Sequence, residues 1–352
     1  MQYDNNKTGF FHSGGIEMDV KKLIDNDFRG VALAIKNDKI ICEHQSGYAD
    51  LPNKVSNTLD TKFASASAGK AFVAVGILQL IERKELNFSD TLGALFDIDL
   101  HNIDPDVTVE QLLTHTSGVP DYFDESIMEE YEELWEDFPN YKIRRNADLL
   151  PLFIDKDMMY PRGAKFQYNN TGYVLLALII EKVTGIEFDK YLQTNVFDVC
   201  GMKSTGYYEL DRLPAKCANN YIYCEDTDNY RTNIFSVDAK GTGAGGAYIT
   251  ATDIVNFWKG IISYQLLSKE LTLKMLSKQS GDGQDSEEGY YGYGFWIIDN
   301  DEADDIAYFQ GCDPGVSFIS EYNPKSNLIS VIVSNYGDDV WKEMGKIRKA
   351  TS

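Results

Sequence analysis

Ser67 and Lys70 stand three residues apart at the head of the run Ala71-Phe-Val-Ala-Val-Gly-Ile-Leu-Gln-Leu-Ile81. That run leaves almost no polar face, which predicts a buried helix. Residues three apart on a helix share one side of one turn. Burial lowers a lysine's pKa, because the charged form loses its hydration. A neutral amine beside a hydroxyl can take its proton, which makes a nucleophile of a serine. A lysine at this end also opposes the helix dipole, so helix stability does not explain its placement. The alternative is a surface serine and lysine with no chemistry, since Ser-x-x-Lys is common by chance.

A second constellation is Tyr168-Asn169-Asn170, between the turn signal Tyr160-Pro161-Arg162-Gly163 and an apolar stretch from Tyr173. On an extended backbone Tyr168 and Asn170 point the same way. Tyrosine can relay a proton when a nearby cation lowers its pKa. Asparagine offers both a donor and an acceptor. The alternative is a turn whose asparagines cap the helix and whose tyrosine packs.

Charge and cysteine usage exclude other classes. The 352 residues carry a net charge of −22, which repels nucleic acid and anionic membrane surfaces. Cys42, Cys200, Cys217, Cys224 and Cys312 are odd in number and lack ligand spacing, which predicts free thiols, no metal and no cofactor. The opening Met-Gln-Tyr-Asp-Asn-Asn-Lys lacks a signal peptide's apolar core, and no run approaches a membrane span. The expectation is a cytoplasmic protein, or an extracellular one if a leader has been removed. Its partner is a small molecule or short peptide, with no nucleic acid and no membrane, and it is a monomer or weak dimer. Gly241-Thr-Gly-Ala-Gly-Gly246 lacks the strand and lysine of a phosphate loop and reads as a tight passage at a cleft rim.

The elements that must position these residues fall into three stretches. Met18 to Asp27 can form a helix. Gly30–Lys36, Asn37-Asp38 and Lys39–Ser46 predict a hairpin, followed by irregular chain to Asp60. The middle is helix-rich, with a helix near Val107–Leu113 capped by Thr108 and Gln111, others at Tyr173–Lys182 and Phe188–Val196, and an acidic segment, Glu125–Asp137, read as a solvated helix or lid. Helices from Thr250 and Ser268, an exposed loop at Gly281–Gly289, strands at Tyr291–Ile298, Ile306–Gln310, Val316–Tyr322 and Leu328–Asn335, the last apolar enough for burial on both faces, and a closing helix at Val340–Lys349 complete the chain. The fold class is α/β (α+β): a central antiparallel sheet built from both termini, flanked by helices. Residues 17–70 with 245–350 form an α/β domain, 71–244 an inserted helical domain, and the active-site cleft lies between them.

Four segments in order carry a resemblance over roughly residues 18 to 345. Phe63-Ala-Ser-Ala-Ser-Ala-Gly-Lys-Ala-Phe72, Leu112-Leu-Thr-His-Thr-Ser-Gly-Val-Pro120, Tyr168-Asn-Asn-Thr-Gly-Tyr173 and Gly245-Gly-Ala-Tyr-Ile-Thr-Ala-Thr-Asp-Ile254 resemble motifs of the serine beta-lactamase and penicillin-binding-protein superfamily. The closest likeness is to its class C beta-lactamase, DD-peptidase and esterase branch. The resemblance implies a serine hydrolase working through an acyl-enzyme on a small ester, D-amino-acid peptide or beta-lactam. Ser67, Lys70 and Tyr168 are then catalytic, with Asn170, Phe309, Gly311 and Cys312 at the substrate and oxyanion. His115 braces its loop. Where relatives carry Lys-Thr-Gly or His-x-Gly, this chain has Phe309-Gln310-Gly311, so Phe309 is expected to deprive an anionic substrate of a partner. The Cys312 side chain is expected to pack. Tyr290, Tyr291, Tyr293 and Trp296 are conjectured to line an apolar acyl site, with Arg162 and Lys165 the nearest replacement cations. The alternative is a non-catalytic ligand-binding or sensory member of the family.

Overall fold

The computed structural model describes residues 23–281, 289–300 and 305–351. The hairpin forms as the sequence predicts, with β1 (Gly30–Lys36) and β2 (Lys39–Ser46) antiparallel. Asn37 and Asp38 turn it with φ of 50° and 61°, the left-handed pair whose twist suits a two-residue connection. The stretch expected to be irregular pairs β3 (Tyr48–Asp50) with β4 (Val55–Ser56). Half of the helix expected at Met18–Asp27 lies outside the described residues, and residues 23–27 form bends and turns instead. Most of the Gly281–Gly289 loop also lies outside them.

From β5 (Phe63–Ala64) the chain enters a 3₁₀ turn, Ala66–Gly69, and then α1 (Lys70–Glu82). Lys70 through Leu80 are all buried, as the missing polar face requires. Each large apolar side chain buried here contributes about 1.5–3 kcal/mol. The inserted region carries α2 (Leu92–Leu95), α3 (Val109–Leu113), α4 (Asn170–Thr184) and α5 (Phe188–Leu192). Thr108 and Gln111 form a capping box on α3, and Gly185 ends α4 in the left-handed conformation. The acidic segment is a 3₁₀ turn at Tyr131–Trp135, not an extended helix. Cys217 to Phe235 holds the hairpin of β6 (Tyr221–Cys224) and β7 (Asn229–Thr232).

The chain then returns through β8 (Tyr248–Ile249), paired with β5, to α6 (Ala251–Ile262) and α7 (Lys269–Met275). The expected strand at Tyr291–Ile298 is split into β9 (Tyr290–Tyr291) and β10 (Trp296–Ile298). β11 (Ile306–Asp313), β12 (Val316–Asn323), β13 (Leu328–Ser334) and α8 (Val340–Thr351) finish it. The main sheet runs β2-β1-β13-β12-β11-β10-β9, so strands from both ends of the chain share it. β13 is buried at every position and pairs with β1 through Val31–Val333 and Leu33–Val331. Val31, Leu33, Val331 and Val333 join the core around α1 and α6; Ala32, Ala34 and Ile332 join the core under α8. This is a mixed α/β fold with an antiparallel sheet flanked by helices and an inserted helical region. Among the described residues, no helix is long and apolar enough to cross a membrane.

Candidate active site

The β5–β8 ladder sets Ser67. It brings Gly245 and Gly246 against the 3₁₀ turn, where Gly246 N–H donates to Ala66 O at 3.0 Å. A Cβ on Gly245 would lie 2.4 Å from Ala66 O, and one on Gly311 would lie 2.7 Å from Ser67 N, so both positions need glycine for the backbones to approach. Ala66 itself has φ of 47°, a left-handed conformation that costs an alanine about 1–2 kcal/mol. The strained residue sits immediately before Ser67.

Lys70 is 2% exposed, and its Nζ meets three oxygens: Ser67 Oγ at 3.1 Å, Asn170 Oδ1 at 2.8 Å and Ala244 O at 2.6 Å. Burial pushes its pKa down to about 8 against the opposing pull of Glu125, Asp121 and Asp313. The Tyr168 ring centroid lies 4.8 Å from Nζ. That ring is stacked on Trp296 and rests 4.5 Å from the ring of His115.

The start of α4 fixes Asn170. Asn169 caps the helix, its Oδ1 accepting from Gly172 N at 2.7 Å, while its Nδ2 donates to Val119 O. Asp121 accepts from Asn170 N, Thr171 N and Thr171 Oγ1 at 2.8, 3.0 and 3.1 Å. Its pKa is nonetheless raised to about 6, because burial outweighs these hydrogen bonds. The capping role that the sequence left open for both asparagines belongs to Asn169 alone, and Asn170 turns its amide oxygen to Lys70. His115 is 1% exposed and accepts from Asn169 N through Nδ1. Burial, then the nearby Lys70, holds it neutral, so it braces the loop.

β11 forms the opposite wall. Gly311, Cys312 and Asp313 line an open cleft of about 700 Å³ together with Ser67, Tyr168 and Asn170. The structure corrects two expectations here. Phe309 is 2% exposed, with its ring packed among Phe72, Phe257, Trp258, Phe295 and Phe318, so it contacts no substrate space. An apolar ring on this face of β11 gains more from the helices above it than from water. Cys312, expected to pack, is exposed on the cleft instead. The cleft walls, then Asp313 and Glu125, push its thiol up to about 11, which keeps it protonated at neutral pH.

The aromatic acyl site is also corrected. Trp296 reaches the cleft, but Tyr291 and Tyr293 are buried, the latter donating to Glu110 Oε1 at 2.6 Å. Arg162 is held by Asp104 and Asp106, and Lys165 lies over the Tyr160 ring; neither lines the cleft. Sequence reasoning missed Asp121, Asp238 and Asp313. The only signal for Asp313 was its place in the Gly-Cys-Asp-Pro-Gly turn, and Asp238 had none.

The chain belongs to the beta-lactamase family, whose profile matches residues 17–349. It is similar to the crystal structure of a penicillin binding protein from Bacillus halodurans, at 40% identity and a TM-score of 0.87 over 92% of this chain and 96% of that one. A penicillin-binding protein of Bacillus subtilis (strain 168) is 27% identical over 92% of this chain and 72% of its own length. The D-amino acid amidase of Ochrobactrum anthropi SV3, solved with D-phenylalanine, shares the fold at a TM-score of 0.78 and 22% identity, covering 94% and 97% of the two chains. Family membership brings with it a serine-hydrolase type of reaction.

Proposed function

We propose that the chain is a serine hydrolase in which Ser67 is acylated, Lys70 is the general base and the substrate is a small ester or amide. One observation carries this reading. A neutral amine has two N–H groups and one lone pair. The two shorter contacts of Lys70 Nζ are to carbonyl oxygens, Asn170 Oδ1 and Ala244 O, which can only accept. Those contacts use both N–H groups of the neutral amine and leave its lone pair for the Ser67 hydroxyl, 3.1 Å away. A pKa near 8 keeps part of the population in that form at neutral pH.

In the proposed reaction Ser67 Oγ loses its proton to Lys70 Nζ and bonds to the substrate carbonyl carbon. The resulting oxyanion is held by the Ser67 and Cys312 amides, with Gly311 leaving room for the approach. The Lys70 ammonium, 4.8 Å from the centre of the Tyr168 ring, returns the proton to the leaving group. Water then releases the acyl group by the same steps. Residues 17–70 with 245–350 act as the α/β domain and 71–244 as the helical domain, with the cleft between them. The names of its relatives point to penicillins and D-amino acid amides as compounds to test. The experiment is labelling with a fluorophosphonate followed by peptide mapping. Modification of Ser67, lost in Ser67→Ala, is the expected result; modification of Cys312 or another serine overturns the assignment.

A further inference from the structure

A narrow cavity of about 60 Å³ opens from the cleft beside Ser67, walled by Tyr122, Tyr131, Asn220, Asp238 and Asp313. Its polar groups are unbalanced. Asp238 and Asp313 bring two carboxylates, and among the described residues the Asp238 carboxylate receives one hydrogen bond, from Tyr131 Oη at 3.3 Å. Asn220 is 3% exposed and its side chain hydrogen-bonds Tyr248, while its Oδ1 has no hydrogen-bond partner among the described residues. No lysine or arginine lines the cavity among the described residues. Lys70, the nearby cation, spends its contacts on Ser67, Asn170 and Ala244. Glu125 adds a further carboxylate in the adjoining cleft.

The walls are held in place from behind. Asn140 Nδ2 donates to Ile234 O at 2.9 Å and Val237 O at 2.8 Å, which fixes the segment that carries Asp238. Asn233 Nδ2 donates to Pro314 O at 2.9 Å and fixes the turn after Asp313. Two carboxylates and an orphaned amide oxygen in a rigid cavity call for an occupant with several N–H donors and a positive charge. A primary ammonium has three N–H donors for three acceptors and is small enough for the space. A carboxylate there would bring further acceptors and no N–H donor.

We propose that Asp238, Asp313 and Asn220 Oδ1 form an ammonium subsite, so that the enzyme prefers acyl groups bearing a free amine close to the scissile carbonyl: amino-acid esters and amides. Ser67 lines the same cavity, so an ammonium held in it sits next to the carbonyl that Ser67 attacks. Burial has already pushed Asp313 up to about 7 and Asp238 up to about 8, with Asp313 adding to the rise at Asp238, and a bound cation relieves both. The inference rests on the proposed acyl-enzyme reaction.

The test compares D- and L-alanine p-nitroanilide with their N-acetyl forms. For the better stereoisomer, kcat/KM should be at least tenfold higher with the free amine. Asp238→Asn and Asp313→Asn should each cut that ratio about tenfold. In the wild type, benzylamine should slow fluorophosphonate labelling of Ser67 competitively, and phenylacetate at the same concentration should not. A wild-type ratio near one, a ratio unmoved in both variants, or equal protection by the two ligands overturns the subsite. If Ser67 labels normally while the ratio is near one, the subsite fails and the acyl-enzyme reading stands. If Ser67 never labels, both fail.

Discussion

Two helix ends meet in the cleft, and they are built on opposite terms. At α4, Asn169 caps Gly172 N–H and Asp121 takes the two amides before it, of Asn170 and Thr171, and the Thr171 hydroxyl. At α1, the cap position is Gly69 with no side-chain hydrogen bond, the first turn has no acidic residue, and the first residue is Lys70. A good cap contributes about 1 kcal/mol, and a cation at this end costs about 0.3–1 kcal/mol. The left-handed Ala66 adds to that cost. One end therefore anchors the structure, and the other gives up stability to place a hydroxyl and an amine together.

The comparison predicts that activity and stability separate between the two ends. Ser67→Ala and Lys70→Met should each lower turnover by about 10⁴ or more, measured on an activated ester. Lys70→Met should move the urea midpoint little, because removing a desolvated amine offsets the loss of a donor to Asn170 Oδ1 and Ala244 O. A midpoint that falls sharply would mean that α1 needs its lysine as a structural partner.

Phe309→His is the control from the core side of β11. An imidazole placed among five aromatic rings loses packing and finds no partner, so stability should drop by about 3 kcal/mol in urea denaturation. Undiminished stability with a gain in hydrolysis of carboxylate-bearing substrates would return this position to the cleft. Asp121→Ala tests the anchoring end. It strands two buried amides and a hydroxyl, and should cost about 2–3 kcal/mol.

How much of this was legible in the sequence depended on range. The hairpin, the Thr108–Gln111 capping box, the buried strand around Val331 and the Ser67–Lys70 spacing are local patterns, and they form as predicted. Phe309 was misplaced for a geometric reason. It shares strand parity with Gly311, which touches the Ser67 backbone, but two residues along a strand is about 7 Å. That distance carries the ring from the cleft to a position beneath Phe72 and Phe257. Asp238 and Asp313 are 75 positions apart in sequence and share a wall only after the sheet and the inserted region close. No spacing rule links such residues.

The smallest expected effect concerns those two carboxylates. Asp238 has its pKa raised from 3.8 to about 8, so the folded state holds more protons than the unfolded state between those values. Stability from this group is therefore present at low pH and falls as pH rises through that window. Asp238→Asn should raise Tm at pH 8 by about 2 °C or more, with the difference shrinking towards pH 4. A variant that melts lower than the wild type at pH 8 would show that the carboxylate is a structural partner.

The central claim is that a neutral Lys70 activates Ser67, and the rate of Ser67 labelling by an uncharged fluorophosphonate as a function of pH tests it most directly. Lys70 is pushed down to about 8, so the rate should climb with pH to a plateau with a midpoint near 8, and Lys70→Met should abolish the climb. A rate that is flat from pH 6 to 10 in the wild type, or one whose midpoint survives in Lys70→Met, would contradict the account.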